Sequence, residues 1–516
     1  MTSTYLTVAI PYVNAAPHLG YAYELVLADD IAARARRTDA EGSVRLLGGT
    51  DDYSLKNVLA AEAAAVPTGE FVAAHAARFA GLAEPLAISF DDFIQTSSDA
   101  RHAPAVTRLW QRVAERGDLY RRSYQGRYCV GCEQFYADAE LVDGRCPEHA
   151  TPAELVEEDN WFFRLSAYSE HLEAAITSGE LAITPDAYRA ETLAFVRAGL
   201  DDISVSRSAR RARGWGIPVP GDTDQVIYVW FDALGNYLSA LGYATPAAPG
   251  YQRWWAGSGE RIHVIGKGIL RFHAIYWPAF LASAGEAAPT RIHVHPYLRV
   301  DGAKVSKSAG ATLDPLDVIG RYGLDALRWW FARAVHSVTD TDFSEARLVQ
   351  TANEDLAGGF GNYINRVTTL LQRYRQSVLP DLDEPSHPEL PRLCDTARGR
   401  LADLDLRGGT QALLDVVATL NRDLEATSPW KLAKDPARSD ELDRILLRHH
   451  RSATVLVEAL APILPGLAAS LRSQLTPVDG RLPAARPAYP RIETLTQPHA
   501  QNDSLPPAPT PSPTRP

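Results

Sequence analysis

The sequence predicts an α/β fold, in which a doubly wound parallel sheet is interrupted by an insertion and followed by an all-α bundle. Three observations support this prediction. Apolar, β-rich segments alternate with helical patterns up to about residue 118, a turn-rich segment with three of the four cysteines follows, and apolar residues recur three and four apart beyond about residue 346. Alternating strands and helices are typical of parallel sheets, and the longer period is typical of amphipathic helices.

Length and composition limit the number of domains and the class of protein. A chain of 516 residues is long enough for about two to four domains, and 46% hydrophobic with 22% charged residues indicates a globular, well-cored protein. No run of about 18 apolar residues occurs, and the N-terminus lacks the basic segment of a secretory leader, so we expect a cytoplasmic protein without a membrane span. The net charge of −11 gives no support for a nucleic-acid partner, although a local basic face would suffice for one.

The first half of the predicted sheet begins with a strand at residues 4–10 and a helix from about 20 to 37. The segment VRLLGG at 44–49 is a second strand, which ends at the acidic turn TDDYS and is followed by helices. The α/β character returns at 224–241, after the cysteine-bearing insertion. Strand, glycine turn and helix follow at 261–285, and a strand with a hairpin-like loop at 291–310.

The first candidate site is the loop between the first strand and helix, which holds His18 and Gly20. A helix N-terminus exposes unpaired N–H groups and the positive end of its dipole, so it can bind phosphate. Gly20 lets a ligand approach the backbone closely, and His18 can donate a hydrogen bond to a phosphate oxygen. The alternative is a capped helix with a surface histidine, and this stretch alone does not separate the two.

The second candidate is the loop DGAKVSKSAG, in which Lys304 and Lys307 lie among glycines and serines directly after a strand. Ammonium groups in such a loop can neutralise the charge of a leaving pyrophosphate. A solvated basic loop is the alternative, and for a single motif of this kind it stays open.

The third candidate is a metal site with the spacing C-x2-C-x13-C-x2-H, formed by Cys129, Cys132, Cys146 and His149. Two close pairs separated by a short gap are typical of a tetrahedral zinc site, whereas clustered disulfides do not suit the cytoplasm. Four protein ligands leave no position open for water, so the zinc would be structural. Buried free cysteines are the alternative.

The first two motifs together resemble the signatures of class I aminoacyl-tRNA synthetases, which are written HIGH and KMSKS. Five segments match methionyl-tRNA synthetases in order and spacing: PYVNAAPHLG, GGTDD, YVWFDALGNYLSAL, HVIGKGILRFHAIYWPAF and GAKVSKS. The resemblance covers roughly residues 4–465. It implies a Rossmann-type catalytic sheet, a zinc-bearing connective insertion and an all-α anticodon-binding bundle.

The resemblance also implies how the chain is divided. The six segments are residues 1–118, the first half of the Rossmann-type catalytic domain; 119–215, the connective insertion with its zinc knuckle; 216–310, the second half of the catalytic domain; 311–345, a stem-contact region with the KVSKS loop just before it; 346–475, the helical anticodon-binding domain; and 476–516, a proline-rich tail. Low hydrophobicity and many prolines predict that the tail is disordered.

The reaction implied by the resemblance is the activation of methionine by ATP to methionyl adenylate, followed by transfer to tRNA-Met, with Mg2+ accompanying ATP. His18, Lys304 and Lys307 are the implied catalytic residues, and Gly20 and Tyr21 join them in the ATP site. The implied methionine-binding residues are Ile10, Tyr12, Asp51, Trp230, Ala233, Leu234, Tyr237, Ile269, Phe272 and His273. Asp51 can pair with an ammonium group and aromatic rings suit a thioether, although periodicity alone would make the aromatic residues ordinary core.

The implied anticodon readers are Asn362, Arg366 and Trp430. Asn362 and Arg366 are four residues apart on one helix face, and an amide and a guanidinium can read base edges while an indole stacks on an unstacked base. Without the resemblance, a capped, salt-bridged helix and a core tryptophan would be the preferred interpretation.

Several positions depart from the family pattern around the ATP and methionine sites. A histidine is replaced by Tyr21, a histidine and a glycine by Tyr53 and Ser54, an aspartate by Gly268, and a glycine by Pro296. The family's aspartate pairs with an arginine that Arg207 matches here, so we expect Arg207 to lack that partner. Two functions stay open: a divergent, monomeric methionine–tRNA ligase, which the retained lysines and Asp51 favour, and a paralogue that binds tRNA or senses methionine or ATP without efficient ligation.

Overall fold

The computed structural model describes residues 3–38, 43–129, 134–136, 140–147, 151–300, 303–304 and 313–493. Its strands are β1 (Thr4–Val8), β2 (Val44–Thr50), β3 (Asp92–Gln95), β4 (Leu119–Cys129), β5 (Gln134–Tyr136), β6 (Glu154–Phe163), β7 (Ala182–Thr184), β8 (Ile203–Ser204), β9 (Ser206–Ser208), β10 (Pro218–Val219), β11 (Asp222–Ile227), β12 (Glu260–Gly266), β13 (Arg291–His295), β14 (Leu298–Val300), β15 (Ala303–Lys304) and β16 (Thr341–Phe343).

The α-helices of the same residues are α1 (Leu19–Thr38), α2 (Leu55–Ala63), α3 (Thr68–Ala80), α4 (His102–Glu115), α5 (Ser169–Ser178), α6 (Asp186–Arg197), α7 (Val229–Ser239), α8 (Pro249–Tyr251), α9 (Trp277–Ala284), α10 (Pro315–Tyr322), α11 (Leu324–Ala334), α12 (Glu345–Thr351), α13 (Asn362–Arg375), α14 (Leu390–Ala402), α15 (Leu406–Thr427), α16 (Pro429–Leu432), α17 (Ser439–Leu460) and α18 (Pro465–Leu475). Wider, π-helical turns occupy Phe272–Tyr276 and Ala352–Gly361.

A parallel sheet of six strands forms the centre of the molecule, in the order β3-β2-β1-β12-β13-β7. The chain builds outward from β1 to β3 in one direction and from β12 to β13 in the other. The topological switch point therefore lies between β1 and β12, and in such sheets ligands bind beyond the carboxyl ends of the strands at this point.

Both faces of the sheet are covered, as in a doubly wound fold. Leu6 and Val8 of β1 pack with α1 in one apolar core. Tyr5 and Leu47 point to the opposite face and pack with residues of α4, α7 and α9 in a second core. Because successive side chains of a strand alternate between faces, one strand contributes to both cores.

The predicted insertion contains a separate antiparallel sheet, with strand order β5-β4-β6-β8. The predicted range of the insertion, 119–215, is wrong in one respect, because it includes a strand of the main sheet. This strand, β7, pairs in parallel with β13 at the edge of that sheet. A three-residue strand carries too little periodicity to be recognised in the sequence.

Helices form the C-terminal region, and they share a continuous apolar core with α1 and α11. At the centre of this junction the buried Arg328 of α11 donates to Asp29 and Asp30 of α1, at 2.9 and 2.6 Å, and to the carbonyl oxygen of Ile463 at 2.9 Å. Within the described ranges, no helix combines the length and apolar character needed to cross a membrane.

The prediction that disorder begins at residue 476 is wrong for 476–493, which pack against the helices. Leu482 and Ala488 are buried, and the Leu482 N–H donates to the carbonyl oxygen of Ser377 at 2.7 Å. The side chain of Asn353 exchanges two hydrogen bonds with the backbone of Ile492, both at 2.8 Å. A few apolar residues spaced among prolines are sufficient to dock this segment, and residues 494–516 lie outside the described part of the chain.

Candidate active site

A cavity of about 720 Å3 opens at the switch point, beyond the carboxyl ends of the central strands. Ile10 and Tyr12 reach it after β1, and Asp51 reaches it after β2. Gly266 and the two residues that follow β12 form another part of its wall. Several convergent polar groups in a largely apolar cavity are the features of a small-molecule site.

One part of the cavity is formed by the N-terminal turn of α1. The carbonyl oxygen of His18 accepts hydrogen bonds from Tyr21 N and Ala22 N at 3.0 and 3.2 Å, and its Nδ1 accepts from Tyr21 N at 3.2 Å. With Nδ1 as acceptor, the neutral ring carries its proton on Nε2. A Cβ atom added at Gly20 would lie 3.1 Å from two atoms of the His18 ring, so glycine allows the ring to fold over the helix end.

The aromatic part of the cavity is formed by Trp230 and Phe272, whose rings stack with centroids 3.7 Å apart. Tyr12 meets Trp230 edge-on at 6.3 Å. Asp51 is 2% exposed, and its backbone N–H donates to the carbonyl oxygen of Pro11 at 2.9 Å, which fixes the acid at the end of β2. A carboxylate beside stacked aromatic rings suits a ligand with one cationic group and one apolar arm.

Six of the ten predicted methionine-binding residues line this cavity: Ile10, Tyr12, Asp51, Trp230, Ile269 and Phe272. The other four, Ala233, Leu234, Tyr237 and His273, are buried and are not part of its wall. The Tyr237 hydroxyl lies 2.8 Å from His273 Nε2, and His273 Nδ1 lies 3.0 Å from the carbonyl oxygen of Ile269. Only the arrangement in which His273 Nδ1–H donates to Ile269 and Nε2 accepts from Tyr237 satisfies both contacts with a neutral ring.

Burial keeps this supporting layer uncharged. It lowers the pKa of His273 to about 4 and raises the pKa of the Tyr237 hydroxyl well above its usual range. At neutral pH the groups behind the aromatic wall are therefore dipoles without net charge.

Sequence reasoning missed several polar residues of the cavity wall, among them Glu24, Lys267 and His295. Glu24 accepts from Ala9 N and from His295 Nε2, each at 2.9 Å, which ties α1 to the ends of β1 and β13. The sequence signal for Glu24 was an acidic residue within the otherwise apolar start of α1. In the structure this residue is only 6% exposed.

Two of the departures from the family pattern have local structural roles. Ser54 is the N-cap of α2, where its hydroxyl accepts from Lys56 N at 3.1 Å, and serine is a better cap than glycine. Tyr53 packs against Trp215 with ring centroids 5.6 Å apart, and burial raises the pKa of its hydroxyl to about 12.

The other departures change the cavity itself. Tyr21 packs on Phe79, and its buried hydroxyl has no hydrogen-bond partner among the described residues. A Cβ atom at Gly268 would lie 1.8 Å from the Tyr297 hydroxyl, so this hydroxyl occupies the place where a side chain at 268 would begin. The Pro296 carbonyl oxygen lies 2.9 Å from His295 Nδ1, which orients that ring.

Arg207, which was expected to lack an acidic partner, is held by serines and a ring. Its Nη1 donates to the Ser204 hydroxyl at 2.9 Å and to the Ser206 carbonyl oxygen at 2.7 Å, and its guanidinium lies 4.1 Å from the centroid of Tyr228. The oxygens accept hydrogen bonds from the guanidinium, and the aromatic face adds a favourable cation–π contact.

The predicted lysines and zinc ligands fall partly outside the described residues. Lys304 lies on β15, in register with Arg299 of β14, whereas Lys307 lies outside. Cys129 and Cys146 are buried in one small cluster with Tyr136, whereas Cys132 and His149 lie outside. No metal-binding cluster of three such groups occurs among the residues that the structure does describe, so the four-ligand set stays a prediction.

The predicted anticodon residues lie in the helical region. Asn362 is exposed at the start of α13, and Trp430 is half-buried on α16. Arg366 donates to Asn421 at 2.9 Å and contacts Glu425, both on the last turns of α15, which leads directly into α16. Arg366 therefore joins α13 to the end of α15, and Trp430 follows shortly afterwards on α16.

Comparison with known proteins gives a consistent result. A family model described as tRNA synthetases class I (M) matches residues 4–154 and 149–368. The chain is 37% identical over 514 residues to the methionine–tRNA ligase of Brucella suis, which covers 94% of this chain and 97% of that protein. It is 38% identical over 451 residues to the methionine–tRNA ligase of Mycobacterium tuberculosis, with 86% and 85% covered.

Solved structures agree with the sequence relatives. The fold matches methionyl-tRNA synthetase of Mycobacterium tuberculosis in complex with methionyl-adenylate with a TM-score of 0.87 at 34% identity, over 95% of this chain and 100% of that one. The apo form of the same enzyme matches with a TM-score of 0.82 at 32% identity, over 96% and 99% of the two chains. The family model, the sequence identity and the share of each chain that is covered together show that the chain belongs to the methionine–tRNA ligase family of class I tRNA synthetases.

Proposed function

We propose that the protein is a methionine–tRNA ligase, which joins methionine and ATP to methionyl adenylate and passes the methionyl group to the terminal ribose of tRNA-Met. The observation that carries this proposal is the composition of the switch-point cavity. It places a helix N-terminus with His18 next to Asp51 and the stacked rings of Trp230 and Phe272. Phosphate, ammonium and thioether are the groups that these three parts suit.

ATP is bound through the first turn of α1. The N-terminal N–H groups and the helix dipole attract phosphate oxygens, and His18 Nε2–H adds a directed donor. The Tyr21 hydroxyl, buried and without a partner among the described residues, supplies a second donor at the same wall. These groups bring positive potential and orientation, which are what a phosphoryl-type transfer needs from a protein.

Methionine is bound with its ammonium group at Asp51 and its thioether against Trp230 and Phe272. The neutral His273 behind the aromatic rings adds no charge at this part of the wall, which suits an uncharged thioether. In the reaction a carboxylate oxygen of methionine forms a bond to the α-phosphorus. The bond between the α-phosphorus and the oxygen that bridges it to the β-phosphate breaks, and pyrophosphate leaves with the electron pair of that bond.

The leaving pyrophosphate is neutralised by Lys304 and Lys307, together with Mg2+ that enters with ATP. This assignment rests on the motif and on the position of β15 next to β14, the strand that follows the cavity residue Tyr297. This neutralisation strengthens as the leaving group departs. It therefore lowers the activation barrier of adenylate formation and not merely the Michaelis constant.

One structural zinc is bound by Cys129, Cys132, Cys146 and His149. Support comes from the burial of Cys129 and Cys146 in one cluster and from the Cys3His donor set, which matches tetrahedral zinc. Elemental analysis should find one zinc per chain, lost in Cys146→Ser but retained in Cys394→Ser, which changes a buried thiol of α14. Zinc-free wild-type protein purified without chelators would contradict this proposal.

The tRNA is recognised through Asn362, Arg366 and Trp430 in the helical region. Support comes from exposure, since Asn362 is exposed and Trp430 half-exposed, and from Arg366, which joins α13 to the end of α15 just before α16. We also propose that the protein is cytoplasmic and monomeric.

Methionine-dependent exchange of pyrophosphate into ATP tests the catalytic proposal against the alternative, a paralogue that binds tRNA or senses methionine or ATP without ligation. We expect exchange with methionine and background rates with leucine or glutamate. Binding of methionine and ATP without exchange would instead support the paralogue.

A further inference from the structure

Asp340 lies outside the motifs of the site, yet its carboxylate reaches the cavity wall from the segment just before β16. One oxygen, Oδ1, accepts from Lys267 Nζ at 2.7 Å and from the backbone N–H of Tyr297 at 3.0 Å. The other, Oδ2, accepts from Arg299 at 2.8 and 3.2 Å. The Asp340 side chain is 11% exposed, whereas those of Lys267 and Arg299 are 31% and 46% exposed, so the carboxylate is better shielded from water than the two cations that it bonds.

The groups that Asp340 holds belong to the wall of the cavity or to the strand next to it. Lys267 and Tyr297 both line the cavity, with the ammonium group 4.8 Å from the centroid of the tyrosine ring. Arg299 lies on β14, opposite Lys304 in the ladder with β15. A single acid therefore connects the turn after β12 with the strand that precedes the lysine loop.

The turn after β12 carries no acid of its own, because the family's aspartate is Gly268 in this chain. The Tyr297 hydroxyl takes the place of a side chain there, since an added Cβ at Gly268 would lie 1.8 Å from it. Lys267 is also bonded to Asp340 and not to a neighbour in its own turn. Lys267, Tyr297 and Asp340 thus form one unit, in which Asp340 bonds the Lys267 ammonium group and the Tyr297 backbone while the ammonium group lies beside the Tyr297 ring.

We infer that Asp340 is a positioning residue for adenylate formation: it holds the Lys267 ammonium group beside the Tyr297 ring, in the orientation in which it contacts ATP. This inference rests on the proposed function. An unrestrained lysine would sample many rotamers, and fixing its direction before ATP binds removes that entropic cost from the reaction. Burial raises the pKa of Asp340, but the hydrogen bonds from Lys267 and Arg299 outweigh it and lower the pKa below its usual range, so the acid is ionised at neutral pH.

The test is pyrophosphate exchange by three proteins: wild type, Asp340→Asn and Asp342→Asn. Asparagine can still accept from Tyr297 N but carries no charge for Lys267 and Arg299. Asp342 is the matched control, because it lies two residues further on β16 with its side chain exposed. We expect Asp340→Asn to lower kcat/KM for ATP about tenfold, with the KM for methionine changed less than about twofold, and Asp342→Asn to match wild type.

A second comparison shows whether Asp340 acts through Lys267. If it does, adding Asp340→Asn to Lys267→Met should cost much less than it costs in the wild-type background, because coupled residues are not additive. Full additivity, or equal losses in the ATP and methionine parameters with a lower Tm, would mean a merely structural role and overturn the inference. An Asp340→Asn protein with wild-type kcat/KM for ATP would also overturn it. A wild-type protein without exchange would instead contradict the proposed function.

Discussion

At the scale of single residues, the sequence indicated which residue types form the cavity better than it indicated where each side chain lies. His18, Gly20 and Asp51 were recognisable because a strand-to-helix loop and an acid at a strand end have chemical meaning locally. Tyr237 and His273, which are predicted to bind methionine, are buried behind the wall of the cavity, so their part in methionine binding stays a prediction. Glu24 and Asp340 were missed because their contacts, such as Glu24 with His295, join segments far apart in the chain.

The close approach of Gly20 to His18 gives the first prediction. In Gly20→Ala the new Cβ, 3.1 Å from the ring, should displace the imidazole and lower kcat/KM for ATP in the exchange reaction about tenfold, or about 1.4 kcal/mol. The matched control is Gly399→Ala in α14, where an added Cβ meets nothing within 4 Å. The control should keep full activity with an equal or higher Tm, because alanine favours helix. Equal exchange rates for both variants would show that the contact does not matter.

Neutral His273 gives a pH prediction. Its folded pKa is about 4, whereas an unfolded histidine titrates near 6.5, so between these values the unfolded chain binds the extra proton. Stability is therefore lost as the pH falls, by about 2 kcal/mol from about pH 7 to about pH 5 for this one residue. Urea unfolding should show a smaller loss in His273→Asn, whose amide can still donate to Ile269. Identical losses in the two proteins would contradict the assignment.

At the scale of elements, the long periodic segments were predicted well and the short or irregular ones were not. The helix expected at about 20–37 is α1, Leu19–Thr38, because a long segment rich in alanine, leucine and arginine and without proline favours a helix. The strand β7 and the docked segment 476–493 were missed, since three residues carry no period and prolines suggest disorder. Both are placed by tertiary contacts, which local sequence does not encode.

The contact between α1 and α11 gives an element-scale prediction. Arg328→Met would leave Asp29 and Asp30 buried without their cation, so the free energy of unfolding should fall by about 3–5 kcal/mol. Arg392→Met is the matched control, because its ion pair with Glu389 is exposed and 3.4 Å long. Surface pairs of this kind contribute little. Similar urea midpoints for both variants would contradict the role given to Arg328.

At the scale of the whole molecule, we propose that the sheet supplies the chemistry and that the helical region supplies a separate recognition surface. The overall class, a parallel sheet with a helical C-terminal region, was predicted from the sequence and is the architecture found. What composition could not provide was the way the parts join, namely one continuous core from α1 through α11 into the helices.

Separation of the two surfaces predicts a split phenotype for Trp430→Ala. Trp430 does not line the cavity, so pyrophosphate exchange should stay within about twofold of wild type. Loss of base stacking should lower kcat/KM for tRNA by about tenfold or more. Equal losses in exchange and aminoacylation would indicate that Trp430 stabilises the fold and does not read a base.

The measurement that tests the central claim most directly is aminoacylation of a tRNA-Met transcript with labelled methionine. The account predicts methionyl-tRNA that forms only with ATP, and a large loss when the anticodon of the same transcript is changed. Folded, zinc-containing protein that binds methionine and ATP but charges neither transcript would contradict it.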